Sequence, residues 1–211
     1  MTPEPSIPAH EHVYRTLRAR IMYGEMEPAT ALTLRGIGAE FNVSMTPARE
    51  AVRRLVAEGA LNLSGSGRVS TPELSNDRIE ELACIRAMLE PELGARALPR
   101  VHPALIERLQ NINATIAEKI VKADAIGYVR ANLEFHRTLY LRAQSPAMLA
   151  LLETVWLQSG PTMRSLYSRL PRTLASEKHR TIIAALRASD EPALRLSIQS
   201  DVTSGLRMLL T

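Results

Sequence analysis

Four polar side chains in the later part of the sequence have the chemistry to hold a cation or an anionic ligand: Asn132, His136, His179 and Asp201. Asn132 and His136 stand four residues apart, so on a helix they project from one face. Each of the four occupies a position where the helical repeat asks for an apolar residue. Ala125 or Ile126, Val129 and Leu139 or Tyr140 bracket Asn132 and His136. Ala175, Ile182 and Leu186 bracket His179, and Leu194, Ile198, Gly205 and Met208 bracket Asp201. Arg86 completes a similar row made by Ile79, Leu82, Leu89 and Leu93. Buried polar groups are costly unless they are paired or bind something. Four such groups from three helices, with an arginine from a fourth, predict an interior polar pocket. Taken singly, each has a plainer account. A histidine on an apolar face is often a hydrogen-bonded core residue, Arg86 has Glu90 one turn on, and a rotated last helix would expose Asp201. Glu134 and Glu177 each lie two residues before a histidine, on nearly the opposite face, which excludes the Glu-x-x-His di-iron motif of helical bundles.

A second set lies near the N-terminus, in the stretch NVSMTPAREAVRRLVAEGAL that begins at Asn42. Thr46 is expected to cap a helix, with Pro47 in its first turn, where a missing N–H costs nothing. Ala48, Val52, Leu55 and Val56 form its apolar stripe, while Arg49 and Arg53 share another face beside Thr46. Arginine reads guanine bidentately, and helix-start N–H groups suit a phosphate. Glu50 and Arg54 are expected to make an ordinary i,i+4 pair on a solvated face.

The elements that must position these residues follow from periodicity and breakers. A helix is predicted over about 10–23, with Val13, Leu17 and Ile21 inward and Gly24 as its stop. A short second helix spans Thr33–Phe41, followed by Asn42, which tolerates a left-handed turn. The arginine-bearing third helix ends at Gly59. Leu61–Leu63 and Arg68–Ser70, joined through Ser64-Gly65-Ser66-Gly67, read as a β-hairpin. Helices are then expected near 77–98, 103–122, 124–143, 146–168, 173–189 and 191–210, with breakers at Pro99/Pro103, Ser145-Pro146, Pro171 and Pro192. Gly160-Pro161 should kink or split the fourth of these. The fold class is mainly α: an N-terminal winged helix-turn-helix with a small β-hairpin wing, then an all-α bundle of six or seven helices. The divisions expected are a mobile tail at 1–9, the winged module at 10–72, a linker at 73–76 and the bundle at 77–211.

Composition sets outer limits. The 211 residues are 45% hydrophobic but only 4% aromatic, so the core is aliphatic. The single cysteine, Cys84, excludes an internal disulfide. The first residues, MTPEPSIPAHEH, lack the basic-then-apolar order of a signal peptide, and no apolar run reaches the ~18 residues of a membrane span. A soluble, cytoplasmic protein is expected. The net charge of +4 permits a nucleic-acid partner without demanding one.

The ordered string in NVSMTPAREAVRRLVAEGAL, with Leu34-Arg35 upstream and Gly67-Arg68-Val69 downstream, resembles the signature of GntR-family bacterial transcription regulators. In that family the arginine of the second helix, the arginines and threonine of the third and a wing glycine contact DNA. The resemblance puts those roles on Arg35, Thr46, Arg49 and Gly67, and Arg53 joins the expected DNA-binding set from its face shared with Arg49. Met45 departs from it, standing where an arginine is usual, which implies a lost phosphate contact or a shifted operator preference. Farther along, CIRAMLEPELGARAL, NLEFHRTLY, SPAML and EKHRTIIAALRASD resemble the FadR-type ligand-sensing domain called FCD. There an aspartate, a histidine four residues on and two later histidines typically hold a metal. The spacing matches Asn132, His136, His179 and Asp201, with two identities exchanged. The exchange keeps one carboxylate and replaces an imidazole with an amide, so the resemblance implies weaker zinc or nickel binding or a shift toward a harder ion such as manganese. The arginine at the position of Arg86 would grip an effector carboxylate.

The expected function is a ligand-responsive regulator, a repressor rather than an enzyme. It would bind a palindromic operator as a homodimer and be released by a small organic acid, with reorientation through residues 71–76. Two rivals remain open at this stage. One is a helical metalloenzyme activating water on His136, His179 and Asp201, although no general base stands beside them. The other is a constitutive DNA-binding protein whose bundle only dimerises.

Overall fold

The computed structural model describes residues 7–65, 67–167, 174–208 and 210. Most of the expected tail at 1–9, the expected break at Pro171 and the side chain of Ala175 lie outside what is described. The N-terminal module runs α1 (Ala9–Met22), β1 (Ala31–Leu32), α2 (Leu34–Phe41), α3 (Met45–Ala57), β2 (Asn62–Leu63) and β3 (Val69–Ser70). The bundle runs α4 (Asn76–Ala97), α5 (Pro103–Val121), α6 (Ala125–Tyr140), α7 (Pro146–Tyr167), α8 (Leu174–Ala188) and α9 (Glu191–Arg207), with single 3₁₀ turns after α4 and α6.

Local chemistry sets most boundaries. Thr33 caps α2 by accepting the Gly36 N–H, and Asn42 ends that helix with φ 52°. The cap of α3 is Ser44, not Thr46, which lies inside the first turn. Ser75 and Asp124 accept the first amides of α4 and α6. The hairpin gains a strand that the sequence did not announce. β1 pairs with β3, giving an antiparallel sheet in the order β1-β3-β2. Two-residue strands carry no readable alternation; this one exists because Thr71 holds residues 27–30 in place. Its Oγ1 donates to the Glu27 carbonyl at 2.6 Å and accepts the Thr30 N–H at 2.9 Å.

The connection between the halves is therefore anchored at its start. Thr71 and Pro72 are buried, and α4 begins at Asn76. Within the bundle α4 packs along α9, α5 against α6 and α8, and α8 against α9. One apolar cluster runs through both halves, from Val13, Leu17 and Leu55 to Leu109, Phe135 and Ile198. Each such fully buried aliphatic side chain contributes ~1.5–3 kcal/mol relative to exposure. The halves meet where α1 crosses α7. Gly160 lies so close to the end of α1 that a Cβ there would overlap the Ile21 carbonyl. Pro161 does not split α7, which continues from Pro146 to Tyr167. No helix among the described residues is long and apolar enough to cross a membrane.

Candidate functional site

In the N-terminal module, α3 buries Ala48, Ala51, Val52 and Leu55, which leaves Thr46, Arg49 and Arg53 on its exposed side. Arg35 is exposed at the start of α2, and Gly67 is exposed in the hairpin turn with φ +79°, a conformation that strains any other residue. Among the described residues, no ion pair or side-chain hydrogen bond occupies the guanidinium of Arg35, Arg49, Arg53 or Arg68. Arg54 behaves differently from the sequence expectation. It pairs with Glu11 of α1 at 2.6 Å and lies 3.6 Å over the Tyr14 ring, while Glu50 faces His10. The reason is geometric: α1 packs along this side of α3, and a buried aromatic face with a carboxylate beside it outcompetes an exposed i,i+4 pair. Met45 is a large apolar residue left exposed at the start of α3.

In the bundle the structure brings His136, His179 and Asp201 together, with one ligating atom from each within 4.8 Å of the others. His136 Nε2 lies 3.1 Å from Asp201 Oδ2, and His179 Nε2 lies 3.8 Å from it. Both histidines are fully buried; Asp201 retains 13% of its side-chain exposure. Asn132 is buried one turn before His136 on the same face of α6. Phe135 stacks on the His179 ring at 4.0 Å, fixing its plane.

The remaining ring nitrogens are held by groups the sequence reading did not assign. Asn113 on α5 donates through Nδ2 to the Ser176 carbonyl, so its Oδ1, 3.3 Å from His179 Nδ1, is an acceptor. His179 must then donate through Nδ1. Tyr140 donates its single hydroxyl proton to Glu90 Oε2 at 2.9 Å and lies 3.2 Å from His136 Nδ1. That network assigns the Nδ1 proton of His136 as well. Both Nε2 atoms are left with lone pairs and no hydrogen-bond partner. A lone pair facing a carboxylate at 3.1 Å is repulsive unless a second proton or a cation lies between them. Burial lowers the His179 pKa to about 4, so its ring is neutral at pH 7. Burial alone would raise Asp201; a proton shared with His136, together with the His179, His136 and Arg86 charges, outweighs that and lowers it.

Beside this set Arg86, 4% exposed, meets fully buried Glu90 with Nε–Oε1 2.5 Å. Burial by itself would depress the guanidinium, and the Glu90 charge and hydrogen bond overcome it. Trp156 Nε1 donates to the same Glu90 oxygen at 3.3 Å. The buried groups thus sum to one arginine against two carboxylates, Glu90 and Asp201, and the site has room for a positive charge. Two histidine nitrogens and a carboxylate oxygen suit a borderline or moderately hard divalent ion. Glu90 is the partner the sequence offered to Arg86 one turn away, while Tyr140 and Asn113 were visible as anomalies, polar positions on buried helical stripes, one turn from His136 and between Leu109 and Ile116.

Comparison with known proteins places the two halves. Residues 9–68 match the bacterial regulatory proteins of the gntR family, and residues 81–203 match the FCD domain. The HTH-type transcriptional regulator McbR of Escherichia coli is 27% identical over 186 residues, covering 87% of this chain and 84% of that protein. The gluconate operon transcriptional repressor of Bacillus subtilis is 29% identical over 163 residues, 77% of this chain and 65% of the repressor. The solved structure of E. coli McbR/YncC superposes with a TM-score of 0.88 at 24% identity, covering 97% of this chain and 98% of that one, which shows the shared fold. These matched proteins are transcription regulators, not enzymes. The chain belongs to the GntR family of bacterial transcription regulators, in the group whose winged helix-turn-helix is followed by an FCD domain.

Proposed function

We propose that this regulator is a repressor that binds a roughly palindromic operator as a homodimer and is released by a small organic acid read in the interior site. The observation that carries the DNA half is the set of exposed guanidiniums on α2, α3 and the wing that, among the described residues, make no ion pair or side-chain hydrogen bond. Arg49 and Arg53 read base edges, Arg35 and the amides at the start of α3 and at Gly67 meet phosphates, and Thr46 fixes the register. A two-fold dimer selects a two-fold operator. The division we propose puts the winged module at 10–72, a linker at 73–76 and the bundle from 77 on, which agrees with the start of α4 near Asn76.

His136, His179 and Asp201 are the residues that would hold a divalent ion, with the Asn132 amide adjoining. Such an ion would supply a fixed positive charge for an effector carboxylate. Arg86 supplies the second anchor through the guanidinium nitrogens that Glu90 does not engage. Several relatives are named as repressors of a gluconate operon or of D-xylose utilization, and a sugar acid carries the carboxylate this pair of anchors would take. An effector drawing Arg86 from Glu90 also disturbs Trp156 on α7, the helix on which α1 rests. That gives the ligand a differential hold on the winged module, the thermodynamic condition for release.

The DNA half is tested by anisotropy with a duplex selected by the protein from a random pool. Arg49→Ala should weaken binding by about 10- to 100-fold, the value of a bidentate base contact. Unchanged affinity removes the assigned role. The sensing half is tested by thermal shift with divalent ions and sugar acids. Stabilisation by the ion that disappears in His136→Ala supports the site, and no stabilisation by any acid leaves a bundle that only dimerises.

A further inference from the structure

A cleft of about 580 Å³ opens on the seam between α1 and the α6–α7 side of the bundle, lined by residues other than the histidine set. Its wall carries four guanidinium groups from three helices: Arg18 of α1, Arg108 of α5, and Arg130 and Arg137 of α6. The acidic groups of the lining are two, Glu134 and Glu153. Glu153 is divided between Arg137, with Nε at 3.0 Å, and Arg18, with Nη2 at 3.9 Å. Arg18 also turns to Glu58, and Arg130 to Glu25, both outside the lining. Among the described residues, Arg108 has only a loose contact with Glu134 at 3.6 Å, and Arg137 uses only its Nε. Those two arginines therefore present free donors to the cleft. The inner surface is apolar and aromatic. Met22, Leu133 and Trp156 are buried in its wall, and Tyr23 stands beside them under Arg130, ring centre to guanidinium 4.6 Å.

We propose that this cleft is a second ligand site, and that it takes a flat-bodied organic anion bearing a phosphate or a pair of carboxylates. The body lies against Tyr23 and Leu141, in front of the buried Trp156 indole, and the anionic end is held by Arg108 and Arg137, whose forked donors match either oxygen group. The volume falls within the ~300–1,000 Å³ of small-molecule sites. Because the winged module and the bundle each supply one wall, the ligand favours the docked arrangement of the two halves. The proposal stands apart from the DNA reading and from the interior site.

Trp156 is the only tryptophan, so its fluorescence reports on the cleft wall and on the Glu90 contact behind it, and the arginine variants below separate the two. The full-length protein is titrated with 4-nitrophenyl phosphate and, separately, with 4-nitrophthalate, while quenching is followed. Saturable quenching by one or both is expected, and the tighter probe names the anion class. Arg108 and Arg137 are 61% and 54% exposed, so the double variant Arg108→Gln/Arg137→Gln keeps the fold. It should raise the Kd at least tenfold, while Arg187→Gln, an exposed arginine of α8 outside the cleft, leaves it unchanged. The proposal is overturned if neither anion saturates, if neutral 4-nitrobenzyl alcohol quenches with the same Kd, or if the arginine pair can be replaced without changing the Kd.

Discussion

The winged module and the bundle use one side chain in opposite ways. On α3, Arg49 is exposed, and among the described residues it has no ion-pair or hydrogen-bond partner. On α4, Arg86 is sealed from water and locked to Glu90, with Tyr140 and Trp156 closing the rest of the carboxylate. A free guanidinium contributes nothing to folding and is ready for a polyanion. A buried one is part of the fold, and a ligand must compete for it. Presentation suits a surface that meets DNA in bulk, while internal pairing suits a sensor, because disturbing the pair has structural consequences.

The contrast is broken most directly by removing each arginine and measuring urea unfolding. Arg86→Met leaves Glu90 buried and unpaired and should cost about 3–5 kcal/mol. Arg49→Ala should change stability by less than about 0.5 kcal/mol while weakening DNA binding. Equal effects on stability would erase the distinction. The interior can also be probed by pH in metal-free protein. The His179 pKa is lowered from 6.5 to about 4 in the folded chain, so the unfolded chain binds more protons between those values. Stability must therefore fall as pH drops from 6.5 toward 4 and level off below, by an amount on the order of 3 kcal/mol. His179→Gln should flatten that slope, and an unchanged slope would place the titration elsewhere.

Gly160→Ala tests whether the two halves need their close seam. The added methyl meets the Ile21 carbonyl, and overpacking of this kind costs about 1–3 kcal/mol. If the variant unfolds in two steps, the winged module has come off the bundle. The smallest effect concerns the exposed face. Met45→Arg adds one cation at the start of α3, which should steepen the salt dependence of DNA binding by about one phosphate equivalent, with no change in Tm.

Much of this was legible because helices write their inner face at regular spacing. The rows through Leu17, Val52, Arg86, His136 and Asp201 all turn inward as the 3.6-residue repeat predicts. The residues that define chemistry across helices were harder to read. Asn113 looked like one polar interruption of α5, and only the approach of α8 gives it His179 and the Ser176 carbonyl as partners. β1 went unseen because its pairing depends on Thr71, forty residues along the chain. Arg54 was assigned the nearer carboxylate, since sequence spacing says nothing of a helix arriving from outside with Glu11 and Tyr14. Periodicity shows which way a side chain faces, and identifying what it meets requires the packing.

Trp156 hydrogen-bonds inward to Glu90 and forms part of the cleft wall on its other side. A single indole ring cannot tilt for one neighbour without moving against the other. If both chambers hold guests, their affinities are bound by reciprocity: whatever factor the first imposes on the second, the second returns to the first. The regulator would then weigh two metabolites jointly, its output set by their ratio as well as by their amounts.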